Sequence, residues 1–197
     1  DAQWQPAGEM LFAPVNLELK PRQLALLSGA NGTGKTTLME AIAGIRLLSA
    51  GQVQFSDNNS HTWQHHSHYL GHKLGNKGAL TCAENLAFVA QINGLDVAER
   101  DLSALLASAG LAGYDFQQAS DLSAGQKKRL AVCRLLLLNK TFWLLDEPFV
   151  NLDHAGCDCL YQLISAHLDQ GGAVLITAHD QQKITDLAHH HITLEPA

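Results

Sequence analysis

A glycine-rich segment that carries one lysine and adjacent threonines is the part of this chain best suited to chemistry. Residues 29–37 read GANGTGKTT and match the pattern G-x-x-x-x-G-K-[ST] of a phosphate-binding loop. Glycines allow backbone N–H groups to approach phosphate oxygens closely, and the N-terminus of a following helix favours negative charge. The segment therefore predicts a site for a nucleoside triphosphate. The residues predicted to bind it are Gly29, Asn31, Gly32, Gly34, Lys35, Thr36 and Thr37.

The same motif assigns roles to two side chains and requires particular flanking elements. Lys35 is predicted to reach the β- and γ-phosphates, and the Thr36 hydroxyl is predicted to bind Mg²⁺. Residues 23–28 read as a buried strand and residues 37–43 as a helix, which is the context that a P-loop needs. A dinucleotide-binding fingerprint fits less well, because Thr37 stands where that pattern has its third glycine.

Two adjacent carboxylates, Asp146 and Glu147, follow the apolar run 142–145. Such a run predicts a buried strand, and ligands of open α/β sheets bind at the carboxyl ends of the strands. Asp146 is predicted to hold Mg²⁺, directly or through water, and Glu147 to orient and deprotonate an attacking water molecule. A solvated turn before Pro148 is the alternative, and the P-loop in the same chain makes it the weaker interpretation.

A second anion-binding arrangement is predicted at residues 122–126, which read LSAGQ. Ser123 and Gln126 have the spacing of a capping box, so this segment should open a helix. The Ser123 hydroxyl, the Gly125 amide and the helix N-terminus together favour an anion. A well-capped helix without any ligand is the alternative interpretation of the segment.

Strand and helix patterns along the chain predict the elements that must hold these residues. The predicted strands are 17–19, 23–28, 51–55, 140–145, 173–177 and 191–194. Two predicted helices open at capping boxes, Thr81-x-x-Glu84 and Asp96-x-x-Glu99, and the second carries Leu102, Leu105 and Leu106 on one face. The alternation predicts an α/β sheet with a helical insertion. We expect a single domain over 1–197, with a core of about 1–75 and 127–197 and a helical subdomain of about 76–126.

Composition restricts the class of partner. The chain has 197 residues, of which 46% are hydrophobic, a formal net charge of −6 and a sequence pI of about 6.0. Because an acidic chain offers no basic field, we expect no nucleic-acid partner. The four cysteines lack zinc-site spacing and are expected to be reduced thiols.

We also expect no membrane-spanning helix, because the longest leucine run covers only residues 135–138. The chain begins with Asp1 and not with Met, so we expect that residues of the true N-terminus are missing. The expectation is a chain that is soluble by itself and that needs a separate subunit to act at a membrane.

Four motifs in a fixed order, the P-loop at residues 29–37 and three that follow it, make the chain resemble an ABC-type ATPase subunit. Residues 122–126 resemble the LSGGQ signature, with Ala124 in place of the first glycine, and residues 151–153 resemble the D-loop. His179 matches the switch histidine that contacts the γ-phosphate. The resemblance implies a P-loop NTPase fold, binding of ATP with Mg²⁺, and ATP hydrolysis that depends on Glu147 and His179.

The resemblance further implies a head-to-tail homodimer in which two copies enclose ATP. Ser123 and Gly125 of one copy would then face the P-loop of the other. An aromatic residue upstream of the P-loop is expected to stack on adenine, with Trp4 preferred over Phe12 because of its separation from the loop. His72 stands where the family usually has the Q-loop glutamine, and its contact with Mg²⁺ depends on the imidazole tautomer.

One loop resembles a narrower group. Residues 69–86, with the core Tyr69-Leu-Gly-His72, resemble the ATP-binding subunits of the haem exporter of cytochrome c maturation. This implies a CcmB-like transmembrane subunit and a peripheral position on the cytoplasmic face of the cell inner membrane. It does not imply a haem-binding subunit, and we interpret the histidine clusters at 65–68 and 189–191 as solvated surface.

Other function classes remain open at this point. The ATPase of another small-substrate exporter would share every motif. A chromosome-maintenance or repair ATPase would need a long coiled coil or a DNA-binding domain before the signature, and a P-loop kinase would lack the signature and the switch histidine. A nucleotide-dependent assembly switch that hardly hydrolyses ATP is disfavoured by Glu147.

Overall fold

The structure is a computed structural model that describes residues 12–48, 51–54, 63–179 and 181–195. The chain divides into two compact units. The described residues within 1–71, 140–148 and 164–197 form the first, which we call the sheet unit. Residues 72–139 and 149–163 form the second, which we call the helical unit.

The sheet unit contains one five-stranded parallel sheet. Its strands are β1 (Leu24–Ser28), β2 (Ser67–Leu70), β3 (Phe142–Asp146), β4 (Ala173–Thr177) and β5 (His190–Thr193). They lie in the order β2-β3-β4-β1-β5, and each neighbouring pair is parallel. Because parallel strands all end at the same edge, the residues after β1, β3 and β4 lie at one edge of the sheet.

Seven α-helices and one 3₁₀ turn belong to the described part of the chain. The helices are α1 (Lys35–Ile42), α2 (Trp63–His66), α3 (Cys82–Ile92), α4 (Glu99–Ser108), α5 (Ala124–Leu138), α6 (His154–Asp169) and α7 (Gln182–Leu187). The boundary between the two units falls within α6, after Leu163. Among the described residues, none of the helices combines the length and the apolar composition of a membrane span.

Each unit has its own apolar core. In the sheet unit the buried cluster consists of Phe12, Ala25, Leu27, Leu38, Met39, Leu144, Leu175 and Leu194. In the helical unit it includes Leu86, Leu106, Leu111 and Leu130, together with the thiols of Cys82 and Cys133. Burial raises the pKa of both thiols, that of Cys133 to about 12, which suits small core residues.

Local capping explains where α3 begins. The Thr81 hydroxyl accepts a hydrogen bond from the Glu84 N–H at 3.2 Å, and the Glu84 carboxylate accepts one from the Thr81 N–H at 2.8 Å. The predicted capping box at Thr81 is therefore confirmed. Asn85 connects α3 to the preceding loop. Its side-chain oxygen accepts from the Lys77 N–H, and its side-chain nitrogen donates to the Lys77 carbonyl.

The predicted capping box at Asp96 is wrong. Helix α4 begins at Glu99 with Ala98 as its N-cap, and no side chain caps it. Val97 packs against the same buried cluster that contains Leu102. The segment before α4 is therefore anchored to the core of the helical unit by an apolar side chain and not by a polar cap.

The α/β class is confirmed, and so are the predicted strands at 23–28, 140–145, 173–177 and 191–194 to within two residues at either end. Two short strands are wrong. Residues 17–19 and 51–54 are not in strands, and Phe55 lies outside the described residues. Gly51 has a φ of 83°, which a strand does not tolerate. Alternation over so few residues carries little information without a partner strand.

His167 of α6 is buried against the sheet. Its ring stacks on Trp143 of β3 with centroids 3.8 Å apart and planes 6° from parallel. A Cβ on Gly172 would lie only 2.1 Å from Nε2 of His167, so glycine is needed beside the ring. Burial lowers the pKa of His167, and backbone hydrogen bonds to Thr141 and Ala173 oppose that shift.

This lowered pKa predicts that acid destabilises the fold. The unfolded chain has the ordinary histidine pKa of 6.5 and binds a proton more readily than the folded chain, so the free energy of unfolding falls as pH drops through 6.5. His167→Phe keeps a ring on Trp143 without a titrating group, and we expect it to lose less stability between about pH 7.5 and 5.5 than the parent chain. Urea unfolding at both pH values measures this. His191→Gln, at an exposed position, is the control, and equal losses in His167→Phe and the parent would contradict the assignment.

Candidate functional site

The loop between β1 and α1 has the backbone that phosphate binding requires. Gly29, Gly32 and Gly34 have φ values of 141°, 85° and 94°, which side chains with a Cβ rarely adopt. A Cβ on Gly29 would also lie 2.7 Å from the carbonyl oxygen of Leu194. Since α1 begins at Lys35, the amides of its first turn have no carbonyl partner within the helix. They can therefore donate to an anion.

Lys35 is the first residue of α1, directly after this loop. Its side chain is only 8% exposed, and its Nζ donates to the carbonyl oxygens of Gly29 at 2.7 Å and Ala30 at 3.0 Å. The Thr33 hydroxyl also donates to the Ala30 carbonyl, at 2.9 Å. The ammonium group is thus held beside the loop backbone, where a phosphate oxygen can replace a carbonyl as its acceptor.

The structure brings the predicted residues Thr36 and Asp146 into contact. The Thr36 hydroxyl donates to Oδ2 of Asp146 at 2.8 Å, and the Thr177 hydroxyl donates to Oδ1 at 2.7 Å. Asp146 and Thr177 are register partners at the ends of β3 and β4. The carboxylate is 1% exposed, so these hydroxyls supply hydrogen bonds that water would otherwise provide.

Glu147 and His179, predicted as the hydrolytic residues, lie together. Nε2 of His179 is 3.1 Å from Oε1 of Glu147. The backbone of Glu147 has a φ of 50°, in the left-handed region, and its N–H donates to both the hydroxyl and the carbonyl of Thr177, at 2.9 and 3.2 Å. A positive φ in a residue with a Cβ is costly and persists where the surroundings hold it, as they do here.

The residues at this edge of the sheet fit a magnesium ion. The Thr36 hydroxyl and the Asp146 carboxylate share a hydrogen bond, so two hard oxygen donors converge on one point. Among the described residues there is no group of three His, Cys, Asp or Glu side chains that could hold a metal. Magnesium commonly binds through one or two protein oxygens, water and substrate phosphates, and this donor set suits that mode.

The helical unit contains the signature segment. Ser123 caps α5: its hydroxyl accepts from the Gln126 N–H at 3.2 Å, and the Gln126 side chain accepts from the Ser123 N–H at 2.8 Å. The predicted capping box is therefore confirmed. A Cβ on Gly125 would lie 2.7 Å from the carbonyl oxygen of Asn151, so the segment packs closely on the D-loop.

Arg129 of α5 connects the signature helix to the D-loop. Its guanidinium donates to Oδ1 of Asp153 at 2.5 Å and to the carbonyl of Ala109 at 3.1 Å. The Gly156 N–H and then Arg129 lower the pKa of Asp153. The signature helix and the D-loop are thereby tied together within the helical unit.

Three other residues predicted to bind adenine or Mg²⁺ take no part in the contacts described above. Trp4 lies outside the described residues, and its stacking on adenine stays a prediction. Phe12 is fully buried in the core and cannot offer a ring face to a base. His72 is exposed within the helical unit, and its contact with Mg²⁺ also stays a prediction.

Two residues of the sheet edge were missed at the sequence level. Thr177 bonds both Asp146 and the Glu147 backbone, and a threonine at the end of a buried strand was the available signal. The Tyr69 hydroxyl donates to Oδ2 of Asp146 at 3.4 Å. Burial, and after it the charge of Asp146, raises the pKa of Tyr69.

A parallel sheet with a P-loop after β1, an acidic pair at the end of β3 and a histidine after β4 defines a P-loop ATPase of the ABC type. A family description, "ABC transporter", matches residues 12–150. The chain therefore belongs to the ABC transporter ATP-binding family, whose members bind ATP. A solved ATP-binding subunit of an ABC transporter has the same fold, with a TM-score of 0.89 and 22% identity, covering 99% of this chain and 84% of the other.

Within this family the chain is similar to proteins called "Cytochrome c biogenesis ATP-binding export protein CcmA". The protein from Histophilus somni is 38% identical over 90% of this chain and 83% of its own length. That from Xanthomonas axonopodis pv. citri is 39% identical over 96% and 89%. The predicted resemblance to this group is confirmed.

We expect Thr177→Val to destabilise the sheet edge. The substitution keeps the shape but removes the donor to Asp146 and the hydroxyl acceptor of the Glu147 N–H. Loss of hydrogen bonds from buried groups should lower the free energy of unfolding by about 1–3 kcal/mol. Urea denaturation measures the change. In the control Thr185→Val, an exposed hydroxyl that bonds Gln181 is lost, and we expect a change below about 0.5 kcal/mol. Equal stability of the two variants would show that the Thr177 hydroxyl contributes nothing.

Proposed function

We propose that this chain is the ATP-hydrolysing subunit of an exporter that serves cytochrome c biogenesis. The observation that carries the proposal is the pair of contacts at the sheet edge, Thr36 with Asp146 and Glu147 with His179. The first suits magnesium and the second suits activation of water. The names of the similar proteins support the biological setting.

ATP binding is proposed to use the P-loop amides and Lys35. On binding, the Lys35 ammonium exchanges its carbonyl acceptors for oxygens of the β- and γ-phosphates. Thr36 and Asp146 would hold Mg²⁺, which when bound neutralises charge on the phosphates. Gly29, Asn31, Gly32, Gly34 and Thr37 contribute backbone or side-chain donors to the same phosphates. Trp4 is proposed to stack on adenine.

Hydrolysis is proposed to depend on Glu147. Its carboxylate accepts a proton from the attacking water, and His179 orients the carboxylate through their contact at 3.1 Å. His179 can then also contact the γ-phosphate. The positive φ of Glu147 and the hydrogen bonds from its N–H to Thr177 hold the side chain in position before substrate arrives.

A second copy of the chain is proposed to complete the site. Its Ser123 and Gly125, at the N-terminus of α5, provide a hydroxyl, amides and a helix dipole for the γ-phosphate. In this proposal the whole chain is one ABC ATPase domain that dimerises head to tail. Hydrolysis is therefore coupled to the association and separation of two copies.

The membrane partner is proposed to be a CcmB-like transmembrane subunit. The chain would act as a peripheral protein on the cytoplasmic face of the inner membrane, and its hydrolysis would drive a step in haem delivery for cytochrome c assembly. The loop at residues 69–86, which resembles that of haem exporters, supports this assignment. His72 takes the place of the Q-loop glutamine and is proposed to link the partner to the nucleotide.

Glu147→Gln tests the hydrolytic site. We expect ATP to bind normally while turnover falls by about 100-fold or more, because the amide cannot accept the proton of water. ATP-bound dimers should accumulate and be visible by light scattering. Lys35→Ala is the matched control and should weaken ATP binding by roughly 10-fold to 100-fold, because a cation that contacts the phosphates is lost. Normal turnover in a monomeric Glu147→Gln variant would reject the role of Glu147.

The biological assignment is tested by deleting the gene in the host that encodes the chain. We expect c-type cytochromes to lose their covalently bound haem, which haem staining of denatured protein measures, because their maturation would lack its ATPase. A plasmid copy of the parent chain should restore the signal, and a copy with Glu147→Gln should not. Unchanged cytochrome c in the deletion strain, with ATPase activity intact in the purified protein, would favour the exporter of another small substrate.

A further inference from the structure

The Asp146 carboxylate accepts hydrogen bonds from three hydroxyl groups, and the proposed function assigns no role to one of them, the hydroxyl of Tyr69. Oδ1 accepts from Thr177, whereas Oδ2 accepts from Thr36 at 2.8 Å and from the Tyr69 hydroxyl at 3.4 Å. Tyr69 is on β2, which lies beside β3 in the sheet. A phenol with an ordinary pKa near 10 is protonated at neutral pH and can donate to the carboxylate.

A glycine makes room for the tyrosine ring. A Cβ on Gly71 would lie 2.4 Å from the hydroxyl oxygen of Tyr69 and 2.6 Å from Cζ. Atoms do not approach so closely, so any larger residue at 71 would displace the ring. The Tyr69 ring therefore packs over Gly71 of its own chain, and its hydroxyl reaches Asp146 at the end of β3.

The two donors on Oδ2 differ in what else they are expected to do. The Thr36 hydroxyl oxygen is a proposed magnesium ligand, so its orientation must suit the ion as well as the carboxylate. The Tyr69 hydroxyl donates to Oδ2 and is not among the proposed magnesium ligands. A donor that serves only the carboxylate can hold Oδ2 in one orientation when the geometry at Thr36 changes.

We propose that Tyr69 is a positioning residue that orients Asp146 for magnesium binding, with Gly71 required to seat its ring. This inference rests on the proposed function, because it concerns magnesium bound with ATP. Tyr69 touches neither nucleotide nor ion in this role and acts through Asp146. Its loss should therefore affect nucleotide binding only when magnesium is present.

The test is binding of a fluorescent, non-hydrolysable ATP analogue to the full chain, measured once with Mg²⁺ and once with EDTA. We expect Tyr69→Phe to weaken binding by about threefold to tenfold with Mg²⁺ and to leave binding in EDTA unchanged, because a single hydrogen bond to a charged group is lost. Tyr161→Phe is the matched control, since its ring packs on Phe149 in the helical unit, and it should change neither value.

A second variant keeps the hydroxyl but moves it. Gly71→Ala should displace the Tyr69 ring and produce the same loss confined to Mg²⁺. Equal binding of the parent chain and both variants in Mg²⁺ would overturn the inference, and so would an equal loss in Mg²⁺ and EDTA, which indicates only a packing role. Failure of the parent chain to bind the analogue under either condition would instead reject the proposed function itself.

Discussion

The site depends on a carboxylate that is almost completely removed from water. Asp146 is 1% exposed at the end of strand β3, and burying such a group is costly unless hydrogen bonds replace its hydration. Hydroxyl groups from the P-loop helix and from β4 supply them. The requirement fixes the start of α1 and the end of β4 relative to β3. The loop proposed to bind phosphate and the residues proposed to activate water are thereby held at one edge of the sheet.

The register between β3 and β4 also determines the position of Glu147. Asp146 and Thr177 are direct partners in the parallel ladder, so the Thr177 hydroxyl reaches the carboxylate and also accepts the next N–H along the chain. Holding that N–H places Glu147 in the left-handed region. His179 follows Thr177 by two residues and contacts the Glu147 carboxylate. One register pair therefore organises both halves of the proposed chemistry, metal binding and activation of water.

Features that depend on local spacing were predictable from the sequence, and features that depend on distant neighbours were not. The P-loop and the caps at Thr81 and Ser123 involve residues within one turn or loop, and the spacing alone identifies them. At Asp96 the spacing failed, because α4 begins at Glu99 without a side-chain cap, while Val97 packs against the core of the helical unit. The contacts of Thr177 and Tyr69 exist because β4 and β2 flank β3, and no spacing along the chain encodes that order. The burial of Phe12 is likewise a property of the packed core.

The signature segment illustrates how a structural cap can also serve a ligand. Capping α5 uses a lone pair of the Ser123 oxygen, because the hydroxyl accepts from the Gln126 N–H. A hydroxyl has one proton to donate as well, so the same group can bond a phosphate oxygen without giving up the cap. Ala124 replaces a glycine at the first helical position, where alanine is a good helix former. Gly125 cannot be replaced by alanine in the same way, because a Cβ there would lie 2.7 Å from the carbonyl oxygen of Asn151. The close contact with the D-loop is by itself enough to require glycine at this position.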